Sequence, residues 1–187
     1  MEPTGEHFSP IKTDLIELEV NLDRYLFAAR FLKDKVVLDL GCGAGLGTYL
    51  YSLLAKRVIA VDYDALALKE AEAWPYPRQN VEFLNLDITN PADLQRLPAV
   101  DVVVAMEVLE HIEDPAAVLR ALKAPQLVFS VPLHSMDVSH FHRFPIETDD
   151  DVKKLIEPLY SINTFEEQSH SRAHGRWIRG EGTRYRV

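Results

Sequence analysis

Five short apolar runs punctuate the chain: KVVLDL (35–40), RVIAVD (57–62), VEFLNL (81–86), DVVVAM (101–106) and QLVFSV (126–131). All are of strand length, and KVVLDL is a compact apolar run ending at glycines, the mark of a buried parallel strand. The segments between them, 46–55, 65–74, 91–96 and 115–123, read as helices, with Pro91 suited to a first helical turn. Strands alternating with helices at this spacing require right-handed crossovers and a sheet flanked by helices. The expected fold class is therefore α/β: a three-layer, open, mostly parallel sheet of Rossmann-like type.

The flanks fit that frame. Residues 1–12 read as an irregular arm, and 13–31 as a helix with Leu15, Ile16, Leu18, Leu22, Leu26 and Phe27 near helical spacing. Residues 147–159 read as a helix capped by Thr148 or Asp149. The stretches 160–168 and 176–187 look like two strands with no helix between them, which predicts an antiparallel strand at the sheet edge. No repeat or linker divides the 187 residues, so one domain is expected, organised as an arm and helix (1–34) and a main unit (35–187).

Charge narrows the partners. Twenty Lys and Arg against 29 Asp and Glu give a net charge of −9, which argues against a partner held mainly through its phosphates. The first twenty residues lack a basic and apolar leader, no stretch approaches the roughly 18 apolar residues of a membrane span, and the single Cys42 cannot form an internal disulfide. A cytoplasmic protein, monomeric or homodimeric and without a membrane partner, is expected.

The most informative stretch is VVLDLGCGAGLGTYL (36–50), where Gly41, Gly43 and Gly45 lie between a buried strand and a helix. Such a turn lets the backbone approach a ligand closely, and the crevice beyond the first strand of an open α/β sheet is where a nucleotide-like ligand belongs. The spacing is G-x-G-x-G. The dinucleotide fingerprint would need glycine where Leu46 stands, so a nicotinamide-dependent dehydrogenase is disfavoured, and no ATP-cradling G-x-x-x-x-G-K-[ST] occurs. Asp39, two residues before the first glycine, suits a sulfonium or ammonium better than a pyrophosphate. Asp62 ends the second strand, placed to accept ribose hydroxyls. Tyr63 beside it offers an apolar face to an adenine ring, and Asp87 ends the third strand.

With these residues in place the sequence resembles the class I S-adenosylmethionine-dependent methyltransferases, from VLDLGCGAG through VIAVD, NLDI and DVVVAMEVLEHIEDPAAVL to LVFSVP. It departs from many relatives in reading ALKAPQLV where they carry a Pro-Gly-Gly turn. The resemblance implies that Gly41, Cys42, Gly43 and Gly45 pass under the methionine part of S-adenosylmethionine. It further implies that Asp39 lies near the ammonium, Asp62 on the ribose, Tyr63 on the adenine face, Asp87 and Ile88 on the adenine edge, and Met106 and Glu107 beside the cofactor. S-adenosylhomocysteine would be the product. The segment 5–35 also resembles the N-terminal region of small bacterial methyltransferases of surface-polysaccharide and sugar modification. In those proteins it closes over the cofactor, so Arg24 and Tyr25 would contact the cofactor carboxylate or the acceptor.

The acceptor side is expected after the fourth strand, in MEVLEHIEDP (106–115), joined by His134, His140 and His142 from the following loop. His111, His140 and Glu110 are the candidates for a general base serving an acceptor hydroxyl. A second reading is a divalent-metal site of Glu107, Glu110, His111 and His142, since carboxylate and imidazole together bind such ions. That arrangement resembles the RNA 3′-end 2′-O-methyltransferases. The expected function is methyl transfer to oxygen or nitrogen of a small-molecule or saccharide acceptor, with nucleic acid disfavoured. The alternatives are the metal-dependent RNA enzyme and a non-catalytic scaffold. From His170 onward, Arg172, Arg176, Arg179, Arg184 and Arg186 face one acid, Glu181, and would bind a phosphate or carboxylate if they act on a ligand.

Overall fold

A computed structural model describes residues 15–74, 78–133, 142–169 and 176–185. The chain forms helix α1 (Leu15–Ala29) and then alternates: β1 (Val36–Leu40), α2 (Leu46–Ser52), β2 (Arg57–Asp62), α3 (Ala65–Glu72), β3 (Val81–Asn85), α4 (Pro91–Arg96), β4 (Val102–Met106), a 3-10 turn (Leu109–His111), α5 (Pro115–Ala121) and β5 (Gln126–Pro132). Helix α6 (Asp149–Ile156) leads into the hairpin β6 (Tyr160–Ser169) and β7 (Arg176–Arg184). The seven strands lie in the order β3-β2-β1-β4-β5-β7-β6. The first five are parallel, and β7 runs antiparallel to both β5 and β6. The expected α/β class, mostly parallel with antiparallel strands at the C-terminal end, is what the chain adopts. The antiparallel pair differs in one detail: β7 lies inside the sheet between β5 and β6, and β6 takes the edge.

Strand alternation divides the core. Leu38, Leu40, Ile59, Val61, Val103, Ala105, Leu127 and Phe129 face the layer containing Leu119, Leu122, Val152 and Ile156. Their neighbours Val37, Val58, Val102, Val104 and Val128 face Phe27, Ala28 and Leu32 of the N-terminal segment and Tyr51 and Ala55. With a period of two, Asp39 points toward α1 and α2 while Leu38 and Leu40 point away. The position is buried, so a carboxylate there must find polar partners. Helix α1 is part of this body: its Val20 carbonyl and Asp23 carboxylate accept from Gln168 of β6, and Arg179 of β7 pairs with Asp23 at 2.7 Å.

Capping fixes the other helix starts. Asp64, Asn90 and Asp114 accept the first amide hydrogens of α3, α4 and α5. Thr148 caps α6 in a reciprocal box with Asp151. Helix α2 has no side-chain cap; it starts at Gly45 in left-handed conformation.

Candidate cofactor and acceptor site

The chain visits β1, β2 and β3 in one direction and then returns to place β4 on the other side of β1, so strand order reverses between β1 and β4. Ligands of open α/β sheets bind outside the carboxyl ends of the strands at such a point. The turn from β1 to α2 occupies it. Gly41 at φ 70° and Gly45 at φ 83° sit where an L side chain is strained. Space is equally restrictive: a Cβ on Gly41 would lie 2.6 Å from Val108 Cγ2, and one on Gly45 would lie 2.7 Å from Ala71 Cβ. Gly41→Ala should therefore cost at least about 2 kcal/mol by denaturant unfolding, from left-handed strain plus overpacking. Adding Val108→Ala should return the packing part, and a single variant as stable as the parent would refute the clash.

Asp62 has a structural duty that its sequence position did not reveal. Its Oδ2 accepts from Gly43 N at 2.8 Å and its Oδ1 from Asp64 N at 2.9 Å, so it ties the end of β2 to the glycine turn. A carboxylate has about four acceptor positions, which leaves room for ligand hydroxyls beside these two bonds. Asn85, which sequence reasoning missed, clamps the same corner by donating to the Asp62 and Tyr63 carbonyls. Tyr63 is 56% exposed, an aromatic face open at the crevice rim. Asp87 is exposed; its Oδ1 accepts from Thr89 N and Oγ1 in a local turn, with half-buried Ile88 between them.

Beneath the turn lies a buried polar group. Asp39 is 5% exposed, and its Oδ2 accepts from the Thr48 hydroxyl at 2.5 Å. Burial drives its pKa up, the Thr48 bond opposes this and the nearby Asp62 charge adds to it, leaving Asp39 at about 7. Burial also raises Tyr25, against the lowering influence of Arg24 and together with Asp39, Glu107 and Cys42, so its phenol stays neutral. The Cys42 thiol is likewise pushed up by burial first and by Asp39 and Asp62 after it, so it is no nucleophile at neutral pH.

At the end of β4, Glu107 adopts φ 56°, a left-handed conformation unusual for a residue with a side chain. Its carboxylate is engaged twice: Oε2 pairs with Arg24 at 2.7 Å, and Oε1 accepts from the Ser130 hydroxyl at 2.6 Å. Arg24 is buried, with its guanidinium 5.1 Å from the Trp177 ring centre. Arg24 thus joins α1 to β4 and β7 at the crevice. Met106, the last residue of β4, is buried on the same face as Asp39.

Beyond Glu107 the 3-10 turn carries Glu110 and His111. Glu110, His111 and His142 each offer one ligand atom within 4.8 Å of the others. Of the four residues in the metal reading, these three are brought together. Glu107 stands apart because Arg24 and Ser130 hold its carboxylate. His134 and His140 lie outside the described residues, as do Arg172 and Arg186. The other tail arginines are occupied within the fold: Arg176 forms two bonds of 2.8 Å with Glu167, Arg179 pairs with Asp23 and Glu166, and Arg184 donates to the carbonyls of Leu122 and Arg120. Glu181 accepts from Gln126 and Asn163.

The sheet thus reverses order at a glycine turn, takes in an antiparallel strand near its far edge and carries Asp39, Asp62 and Glu107 at or next to its strand ends. Residues 38–124 match the family model described as a methyltransferase domain. A probable S-adenosylmethionine-dependent methyltransferase of Mycobacterium tuberculosis is 33% identical over 135 residues, covering 65% of this chain and 47% of the relative. A ubiquinone biosynthesis O-methyltransferase of Albidiferax ferrireducens is 36% identical over 87 residues, 46% of this chain and 34% of that one. A tRNA U34 carboxymethyltransferase of Alteromonas mediterranea is 40% identical over 102 residues, 49% of this chain and 29% of that one. The chain therefore spans half or less of the length of these curated relatives. Among solved structures, the N-methyltransferase NodS of Bradyrhizobium japonicum, in complex with S-adenosyl-L-homocysteine, superposes with a TM-score of 0.76 at 17% identity, over 97% of this chain and 93% of NodS. Residues 38–124 are thus similar to a methyltransferase domain and the fold is that of NodS; the group these similarities point to is S-adenosylmethionine. The donor set fits this group: carboxylates for a sugar and an ammonium, a buried guanidinium for a carboxylate, and a turn with no room for side chains. Among the described residues, no helix is long and apolar enough to cross a membrane.

Proposed function

We propose that this protein transfers the methyl group of S-adenosylmethionine to an oxygen or nitrogen of a small-molecule or saccharide acceptor. The observation that carries the reading is the left-handed glycine turn at the β1/β4 reversal, tied to the carboxylate of Asp62 and underlain by Asp39. Gly41, Cys42, Gly43 and Gly45 would run beneath the methionine part. Asp62 would take the ribose, Tyr63 the adenine face, and Asp87 with Ile88 the adenine edge. Asp39 and Glu107 would face the ammonium, with Arg24 and Tyr25 at the carboxylate, so that α1 closes the site and Met106 backs it.

The bound cofactor supplies an electrophilic sulfonium methyl. The protein's own work is alignment, holding the acceptor atom roughly 3–3.5 Å from the methyl carbon, and removal of a proton. The acceptor atom that takes the methyl gives up its proton, which would pass to a base of this chain. His111, with Glu110 Oε1 3.8 Å from its Nε2, is the described residue best placed to receive it. The tRNA-modifying relative keeps nucleic acid in view as an acceptor class. What supports a small acceptor here is the net charge of −9 and the engagement of Arg176, Arg179 and Arg184 in intramolecular bonds, which leaves those three little capacity for phosphates.

Calorimetry with S-adenosylmethionine, followed by methyl-labelled turnover against pools of phenols, amines, sugars and RNA, tests this. Label entering the phenol, amine or sugar pool is the expected outcome. Label confined to RNA would overturn the acceptor class, and absence of cofactor binding would overturn the activity.

A further inference from the structure

We propose that Glu110, His111 and His142 form a binding site for one divalent transition-metal ion at the acceptor end of the crevice. Two neighbouring residues of the 3-10 turn after β4 and one residue from a distant loop contribute donor atoms within 4.8 Å of one another. The backbone fixes that meeting. Arg143 N and Phe144 N both donate to the Glu110 carbonyl, at 2.7 and 3.0 Å, so the segment beginning at His142 is fastened to the residue that supplies the carboxylate. His111 N donates to the Val108 carbonyl at 3.1 Å and closes the turn. The two imidazoles meet edge to face with centroids 4.9 Å apart.

Burial grades the set. Glu110 and His142 are buried, whereas the His111 side chain keeps 29% of its surface open, which gives two inner ligands and one at the rim. A divalent ion can accept two imidazole nitrogens and a carboxylate oxygen at once. Two nitrogens and one carboxylate oxygen select manganese, iron, cobalt or zinc over calcium and magnesium, which prefer all-oxygen shells. Metal–ligand bonds of about 2.0–2.2 Å bring donor atoms to about 3 Å from each other, so modest side-chain rotations must draw the three together.

Three protein ligands leave coordination positions open on the His111 side. With the ion bound, His111 would serve as a ligand instead of as the proton acceptor, and an acceptor oxygen on the ion would give up its proton to water more readily, as metal-bound water does. The inference deepens the methyl-transfer reading by assigning the acceptor to the class that presents a chelating hydroxyl. Only that assignment rests on the reading; ion binding itself does not.

The experiment uses the full, tag-free chain stripped with chelator and titrated with Co2+. A one-to-one visible absorption change, displaced by Zn2+ and accompanied by a rise in thermal midpoint, is expected. Glu110→Gln and His142→Ala should each weaken Co2+ at least tenfold. His111→Gln, at the partly exposed position, gives a variant with little risk to folding, and S-adenosylmethionine affinity checks the fold of each. Absence of the cobalt signal, or a signal unchanged in all three variants, overturns the site. Cobalt binding without S-adenosylmethionine binding would sink the methyltransferase reading and leave the metal site standing, and the converse result would do the opposite.

Discussion

Replacing Asp62 with alanine is expected to weaken S-adenosylmethionine binding by about tenfold to a hundredfold while the free protein remains folded. The lower figure corresponds to one hydrogen bond to a charged acceptor, worth about 1.5 kcal/mol, and the upper to two. Two losses combine. The ribose hydroxyls would lose their acceptor, and Gly43 N, held by Oδ2 at 2.8 Å, would be released so that the turn must be ordered at the moment of binding. Asp62→Asn separates them, because a single amide oxygen can keep either Gly43 N or Asp64 N but not both at full strength. The asparagine variant should fall between alanine and the parent. Asp87→Ala provides the contrast: that carboxylate is exposed and committed to Thr89, so its loss should cost less than Asp62→Ala. Calorimetry giving Asp62→Ala the parent affinity would remove Asp62 from the site.

The features legible in the sequence are those written in local pattern. Five strand-length runs and the glycines after the first are short-range signals, and each run forms a strand. The third departs in detail: β3 is an edge strand with Glu82 and Asn85 exposed, and it ends at Asn85, two residues before Asp87. The contacts that escaped are long-range pairings. Nothing near Glu107 announces that a guanidinium 83 positions earlier in the chain will take its carboxylate, or that Ser130 will take the other oxygen. The tail arginines present the same difficulty. Counted along the sequence they form a basic cluster, but alternate residues of a strand face opposite sides, and each of Arg176, Arg179 and Arg184 meets a different partner. The insertion of β7 between β5 and β6 likewise depends on which of the two strands pairs with β5, a choice that periodicity does not encode. His142 was within reach as a candidate because its chemistry is visible, but its meeting with Glu110 depends on two backbone bonds from the next residues.

Asp39 carries the other large expected effect, and it acts in opposite directions on stability and on binding. Its carboxyl is buried and lifted from 3.8 to about 7, chiefly by desolvation. The folded state therefore holds a proton that the unfolded state has already released between those two values. Stability from this group is fully present below about pH 4, declines as pH rises, and is lost once pH passes 7. Over that span the change is roughly 4 kcal/mol. A cationic cofactor reverses the preference, since it favours ionised Asp39. Affinity for S-adenosylmethionine should accordingly rise about tenfold between pH 6 and pH 8 as the site loses its proton before binding. Asp39→Asn should flatten that profile, raise the thermal midpoint at pH 8, and weaken binding at pH 8 at least tenfold. The amide can still accept from Thr48 Oγ1 but supplies no charge to the sulfonium or ammonium. Calorimetry at pH 8 in buffers of differing ionisation enthalpy should show little proton release, and at pH 6 nearly one proton per cofactor. A parent protein whose affinity and proton release are flat from pH 6 to 8 would mean that the charge on Asp39 does not answer to the cofactor.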